Sequence, residues 1–480
     1  MTDSVAKVSS KKFSRREFLS LAGTVTAGAI LAACAPVAVQ QPQSPAGGEQ
    51  AVAEPPKEEV VELIAWFTDR LTINKMTEME AIPDFQSKNP GFKVTMQFVP
   101  ESELQQKLLT SKAAGNAPDV SSLDETFLDT LTKQDVLLPI PEEVINVGEE
   151  MGDLTENLYR IPPDASDAKF YGLPNGVFSS QIYYNAGLLA ELGYKPEDIP
   201  TNWSDFIKWA TDVTVWDGDT LDRTGMAFYA NEFSMYEDLR FQIAGPIDGN
   251  FFPTQDSTRH TDEVGIQSWQ FIMDLYDVHK LDSKAEGLNS RERFGGGRAV
   301  TLYNWTWFNG FMDTQYTDID WGLVIPPTMD GAQVYGRRGP DVGFTVTTQN
   351  EAHMTGAWTL YRYLVSPVYL AKYCKLRGIQ PSLKEMWDDP EFSDKAGPRW
   401  GAIAVKNRPE NSVDPGFWPL ELVNINNRIL PSIRDEGEDI QTVLAREEEE
   451  GNKFLQASPQ WSILSAEQYK ANPQWLTPAG

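Results

Sequence analysis

Val60-Val61-Glu62-Leu63-Ile64-Ala65-Trp66 reads as a β-strand, and the sixty residues after it decide the fold. Met76, Met79, Ile82 and Phe85 recur at helical spacing after the strand. Asn89-Pro90-Gly91 stops that helix, and Phe92-Lys93-Val94-Thr95-Met96-Gln97-Phe98-Val99 alternates as a strand does. A second helix runs from Glu101 to Ala114 and breaks at Gly115-Asn116-Ala117-Pro118, ahead of a strand at Asp119-Val120-Ser121. Strand, helix, strand, helix, strand implies right-handed crossovers and a mainly parallel α/β sheet. Such sheets bind ligands at the carboxyl ends of their strands. That rule puts Trp66-Phe67-Thr68-Asp69 and Leu123-Asp124-Glu125 on loops facing a crevice.

Further along, the pattern changes at Gly172-Leu173-Pro174-Asn175-Gly176-Val177, where a second α/β segment begins. Ile182-Tyr183-Tyr184-Asn185 reads as a strand, and Asn202-Trp203-Ser204-Asp205-Phe206 opens an amphipathic helix. Trp203, Trp209 and Trp269 fall on such helices and are expected in the core. The length predicts two lobes rather than one, and no internal repeat is visible.

Toward the N-terminus, residues 35–57 are rich in Pro, Gln and Gly and read as a tether. Before it, the basic stretch Lys11-Lys12-Phe13-Ser14-Arg15-Arg16-Glu17-Phe18-Leu19 leads into a mildly apolar run ending in Leu31-Ala32-Ala33-Cys34. A positive region, an apolar region and small residues before a cut site make a secretory signal. Ser-Arg-Arg-x-Phe-Leu resembles the twin-arginine variant. Leu-Ala-Ala-Cys resembles a bacterial lipobox, which would leave Cys34 as the lipidated first residue. The run is too short and too Gly-rich to span a bilayer. The expectation is therefore an exported protein, lipid-anchored through Cys34 on the outer face of the cytoplasmic membrane.

Composition narrows the function. The chain carries a net charge of −28 with no visible basic patch, which argues against nucleic acid, since phosphate contacts need clustered Lys and Arg. Cys34 and Cys374 are the two cysteines, so with Cys34 lipidated no intrachain disulfide is expected. His260, His279 and His353 fit no metal-ligand spacing, and no cofactor is expected.

In order and spacing, a set of further segments resembles the extracellular solute-binding proteins of ABC importers, in the branch that includes maltose-binding protein. They include Pro118-Asp119-Val120, Val136-Leu137-Leu138-Pro139-Ile140, Phe170-Tyr171-Gly172-Leu173-Pro174, Tyr183-Tyr184-Asn185 and Thr201-Asn202-Trp203-Ser204-Asp205-Phe206. Phe294-Gly295-Gly296-Gly297-Arg298-Ala299-Val300, Trp321-Gly322-Leu323-Val324-Ile325-Pro326-Pro327 and Gly378-Ile379-Gln380-Pro381-Ser382 continue the series. The resemblance covers roughly residues 60–430. It implies a two-lobed periplasmic-binding-protein-like fold, with hinge strands and one ligand cleft between the lobes. Mapped here, residues 1–33 are the signal and 34–58 the lipidated cysteine and tether. Residues 59–175 and 335–385 would form one lobe, and 176–334 and 386–480 the other. The implied partners are a small solute, a carbohydrate above all, and ABC permease subunits with their cytoplasmic ATPase. A monomer is expected.

A neutral sugar needs paired donors and acceptors for its hydroxyls and flat apolar faces for its C–H groups. Trp66, Thr68, Asp69 and Arg70 offer that mixture on one loop, and Asp124 and Glu125 on a second. Tyr303, Trp305 and Trp307 follow a Gly-rich turn into a strand, where the family places a stacking aromatic. Trp418 stands where maltose-binding protein carries another, and Asn231 and Glu232 fit a further contact loop. At the family's hinge carboxylate position this chain has Phe178, with Ser179 beside it. Asp69, Asp124 and Glu125 could equally be caps or solvated turns.

Other readings stay open. A carbohydrate-active enzyme could use paired carboxylates, yet no nucleophile elbow, zinc motif or phosphate loop is present. Gly295-Gly296-Gly297-Arg298 reads as a tight turn into a strand, and Asp217-Gly218-Asp219-Thr220-Leu221-Asp222 as a turn between strands. A ligand sensor for a membrane kinase would use the same lobes. A polyamine, peptide or metal could replace the sugar. The acid run Glu447–Glu450 is expected to be a solvated helix face.

Overall fold

The computed structural model describes residues 60–69, 72–151, 160–161, 167–283, 287–387 and 389–477. The signal, Cys34, the tether and Arg70 lie outside the described residues.

The opening stretch folds as its pattern predicts. Strand β1 (Val61–Thr68) is followed by helix α1 (Thr72–Lys88), β2 (Phe92–Val99), α2 (Glu101–Ala113) and β3 (Val120–Leu123). β1 pairs in parallel with β2 along its whole length, Val61 opposite Phe92 through Thr68 opposite Val99, and in parallel with β3 at Ala65 and Trp66. Every second residue of β1 from Leu63 to Phe67 is fully buried, which is the period of a strand with one face on a core. Ile82 and Phe85 of α1 enter that core, whereas Met79 is 58% exposed: four apolar positions at helical spacing span more arc than the sheet covers.

The first sheet is completed by short β4 (Leu173–Pro174), which reaches it beside a returning strand. The second sheet is built around β5 (Gly176–Asn185) and carries β6 (Val215–Asp217), β7 (Thr220–Ala227), β8 (Ala299–Trp305) and β9 (Trp321–Val324). β10 (Gly336–Pro340) also joins it, before β11 (Gly343–Val346) returns to the first sheet between β3 and β4. The second sheet is not mainly parallel. β5 is antiparallel to β8, β9 and β10, and β7–β8 is a parallel pair.

The chain thus crosses between sheets from β4 to β5, from β10 to β11, and again at Gln380–Pro381, which pair with Val177 and Gly176 of β5. The first crossing sits at 175/176. The second comes at 341–342, because β10 hydrogen-bonds to β5 opposite Val177 and Ser179 rather than joining the first sheet at 335. The first two crossings each hold a glycine forced by close backbone approach. A Cβ on Gly176 would collide with the Gln380 carbonyl, and one on Gly343 with the Leu173 carbonyl.

Each lobe has its own core. Phe67, Phe85, Phe344, Tyr361, Tyr369 and Tyr373 fill the first, with Phe67 edge-on to Phe344 at 5.9 Å. Trp203, Phe206, Trp209, Tyr236, Trp269 and Tyr303 fill the second, so the three helical tryptophans are core residues as their spacing predicts. Arg428 and Arg446 reach Glu447 at 2.6 and 2.9 Å, and Glu447 is buried between them. That corrects the expectation of a wholly solvated acid run.

The lobes are also tied away from the crossings. Asp129, buried on the short helix α3 (Leu128–Lys133), accepts the backbone N–H groups of Trp461 and Ser462 at 3.0 and 3.1 Å and the Ser462 hydroxyl. Lys133 lies over the Trp461 ring at 5.0 Å. Phe417, 1% exposed, packs with Val99, Leu123 and Leu128 of the first lobe. The segments around it, with Trp418 and Ile463, belong to a second-lobe cluster.

Candidate ligand-binding cleft

The carboxyl ends of β1, β2 and β3 converge on a cleft of about 770 Å³, within the size range of small-molecule sites. Asp69 follows β1, Pro100, Glu101 and Ser102 follow β2, and Asp124, Glu125, Thr126 and Phe127 follow β3. The crossing contributes Phe178 from β5 and Asp341, and the second lobe contributes Trp307 from the turn after β8. Leu420 and Val423 from the helix Leu420–Asn426, and Arg377 from the helix Pro367–Arg377, complete the wall.

The polar groups are held in place by neighbours. Asp69 pairs with Lys75 at 2.5 Å. Asp124 caps the turn after β3, accepting the Thr126 N–H at 3.0 Å and its hydroxyl, so the capping and cleft-lining roles coincide in one carboxylate. Asp341 accepts from Arg377 at 2.7 Å and from the Tyr373 hydroxyl at 2.9 Å. Behind them Glu78 is buried against the Tyr369 hydroxyl at 3.1 Å, and burial pushes its carboxyl up to about 8.

The apolar half is built the same way. Phe178 meets Trp305 edge-on at 5.0 Å. Trp305 is 8% exposed and donates its indole N–H to the Ser234 hydroxyl, so it supports Phe178 from behind. Arg291 lies over the Trp307 ring at 4.7 Å, fixing a half-buried indole at the cleft wall.

Of the residues singled out in the sequence, the structure brings Asp69, Asp124, Glu125, Phe178 and Trp307 together on this cleft. It places the others elsewhere. Trp66 packs beside Leu104 and Phe127 in a first-lobe cluster, and Thr68 is buried with its N–H on the Ser122 hydroxyl at 3.2 Å. Ser179, on β5 opposite Arg338 of β10, is fully buried, and its hydroxyl accepts from the Gln181 amide at 3.4 Å. Asn231 ties Ser290 to the Tyr303 carbonyl, and Glu232 is buried with Tyr276 at 2.5 Å and Arg434 at 2.8 Å.

Tyr303 is fully buried, with its hydroxyl on Asp238 at 2.7 Å, where Lys406 also arrives at 2.8 Å. Trp418 is 5% exposed, 4.6 Å from both Phe251 and Phe252, and donates its indole N–H to Glu237 at 2.8 Å. None of these side chains is among those lining the cleft, and those of Asn231, Glu232, Tyr303 and Trp418 already hold internal partners. Glu101 was missed although the strand-end rule that found Asp69 and Asp124 applies to β2 as well. Asp341, Arg377, Leu420 and Val423 come from distant sequence, and no local signal marks them.

Among the described residues no group of His, Cys, Asp and Glu could hold a metal ion, and no helix is long and apolar enough to cross a membrane.

Two strand-built lobes around a cleft of this kind define a solute-binding protein, and the sequence agrees. Residues 80–398 match the family model of the bacterial extracellular solute-binding proteins, and the chain belongs to that family. It is 24% identical over 312 residues to the arabinooligosaccharide-binding protein of Halalkalibacterium halodurans, covering 63% of this chain and 67% of that one. The arabinooligosaccharide-binding protein of Bacillus subtilis is 22% identical over 332 residues, 66% of this chain and 72% of that one. In structure it is similar to the maltose/maltodextrin-binding domain of Bdellovibrio bacteriovorus bound to maltotriose, with a TM-score of 0.66 at 18% identity over 82% of this chain and 100% of that one. A solute-binding protein from Thermotoga lettingae bound to α-D-tagatose gives 0.64 at 18% identity over 82% and 99%. These likenesses show the two-lobed fold.

Proposed function

We propose that the cleft captures an oligosaccharide and that the protein passes it to an ABC permease, itself anchored outside the membrane by lipid on Cys34. One observation carries the carbohydrate reading: carboxylates from three strand-end loops line the same cleft as Phe178 and Trp307. Sugar hydroxyls pair with the carboxylates, and the C–H faces lie on the rings. Each half covers what the other leaves unsatisfied. The arabinooligosaccharide-binding relatives support the choice of ligand class. The role is binding rather than cleavage, in line with relatives named as binding proteins.

Melting the purified protein with arabinotriose, maltotriose, spermidine and a tripeptide tests this. A ligand that binds the native state alone stabilises it by about 2.7 kcal/mol at a hundredfold excess over Kd. Stabilisation by a saccharide, with the saccharide recovered intact, is the expected result. Stabilisation by spermidine or peptide alone would replace this reading. For the anchor, Cys34→Ser should abolish incorporation of labelled fatty acid; unchanged incorporation would refute lipidation at that residue.

A further inference from the structure

A second cavity shares no lining residue with the cleft. Its volume is about 320 Å³, at the lower end of the range for small-molecule sites. Trp387, Phe392 and Lys395 line it from the segment ahead of the helix Pro398–Asn407, and Ala404 and Arg408 from that helix and its end. Gln380 lines it from the crossing segment that pairs with β5.

These elements belong to different lobes. Phe392 is 1% exposed within the first-lobe core. The helix packs through Ala402 and Ile403 against Tyr183 and Leu323 of the second sheet, and its Lys406 reaches Asp238 at 2.8 Å. The cavity therefore lies where the two lobes meet at the crossing.

Its lining has a definite chemistry. Lys395 and Arg408 bring two cations, and neither holds an ion pair among the described residues. No carboxylate is among the described lining residues, and the nearby Glu391 is taken by Lys375. Trp387 spends its indole N–H on the Pro381 carbonyl at 2.8 Å, so what it offers the cavity is ring surface. Phe392 is held edge-on by Trp400 at 5.2 Å. Gln380 is 8% exposed, and its side-chain carbonyl oxygen has no hydrogen-bond partner. Buried polar atoms in that state are uncommon in folded proteins, and a hydroxyl on a guest can satisfy one.

We propose that this cavity is a second small-molecule site, which takes a flat-ringed organic carboxylate bearing a hydroxyl. The carboxylate pairs with Lys395 and Arg408, whose charge-assisted hydrogen bonds are the strong ones, and a guanidinium matches a carboxylate in shape as well as charge. The ring lies against Trp387 and Phe392, which reward apolar area. The hydroxyl meets the Gln380 amide.

Calorimetry of the purified chain with para-hydroxybenzoate, benzoate and para-hydroxybenzyl alcohol tests this. No saccharide enters the measurement, so its outcome is independent of what the cleft binds. Para-hydroxybenzoate should bind with a millimolar dissociation constant or tighter. It should bind at least tenfold more tightly than the alcohol, which lacks the charge, and at least threefold more tightly than benzoate, which lacks the hydroxyl. Lys395→Gln/Arg408→Gln, at two exposed positions, should weaken the acid at least tenfold and leave the alcohol unchanged. Ala404→Trp puts a ring into the cavity and should abolish binding of all three. Should that variant fold poorly, the charge variant locates the site without it.

No binding of para-hydroxybenzoate overturns the proposal, as does an alcohol or a benzoate that binds equally well. An acid indifferent to Lys395→Gln/Arg408→Gln overturns it too, because the anion is then held elsewhere.

Discussion

Trp307 and Trp418 are alike in type and in sequence setting, yet one faces the cleft and the other stands behind it. Trp307 is half-buried at the wall, with Arg291 over its ring. Trp418 is enclosed by Phe251, Phe252 and Phe233 and bonded to Glu237, which Arg337 also holds. Glu78 repeats that division in the first lobe: Asp341 and Arg377 line the cleft, and Glu78 is sealed behind them. Among the facing residues Trp307, Glu101 and Glu125 keep part of their surface for a guest, while Asp124, Asp341 and Arg377 are themselves buried at the wall. Backing residues have spent theirs on one another, so they set the shape of the wall and the stability of the lobe.

Substitutions can break that division, and the largest effect belongs to the backing layer. Trp418→Ala should cost about 3–5 kcal/mol of stability, the usual loss for deleting a large core ring, read by denaturant unfolding. A fall in affinity with stability intact would move Trp418 to the facing set. Glu78 should make stability pH-dependent. Native Glu78 keeps its proton up to about 8, whereas the unfolded chain releases it near the ordinary carboxylate value. The native state therefore binds more protons in between, and stability falls as pH rises from about 4.5 to about 8, by up to about 1.4 kcal/mol per unit. Glu78→Gln should flatten melting temperature against pH in that window; an unchanged slope would assign the pH dependence to other groups.

Smaller effects are expected from the facing set. Trp307→Ala should weaken saccharide binding by about 2 kcal/mol, some thirtyfold, and shift unfolding by less than about 1 kcal/mol. Calorimetry showing unchanged affinity would remove it from the wall. Asp129→Asn keeps the shape of the lobe tie but weakens its acceptor. It should cost about 1 kcal/mol, and a stability equal to that of the parent would mean the tie contributes nothing.

The first lobe was largely legible in the sequence because its information is local. Each periodic pattern, from strand alternation in Phe92–Val99 to helical spacing before Asn89-Pro90-Gly91, lies within a few residues, and parallel crossovers follow from their order. The same locality put Asp69, Asp124 and Glu125 on the cleft. The second sheet was less legible. Its antiparallel partners of β5 come from residues as far apart as 305 and 340, so no window contains the pattern. Tyr303, Asn231, Glu232 and Trp418 misled for one reason: a polar atom on an aromatic or at a strand end shows nothing of its partner until the chain is folded. Asp238, Ser290, Arg434 and Glu237 supply those partners from other elements.

The tie between Asp129 and the Trp461–Ser462 backbone, with Phe417 seated beside Leu123 and Leu128, turns the three-segment crossing into a door that also has a bolt. Swinging the lobes apart means drawing that bolt: three hydrogen bonds pass to water and a phenyl ring leaves its socket. A captured guest would then depart no faster than the bolt slides, so its dwell time would be governed by a contact it never touches. Stopped-flow release from Asp129→Asn, faster than from the parent at similar affinity for the wall, is the signature of such a gate.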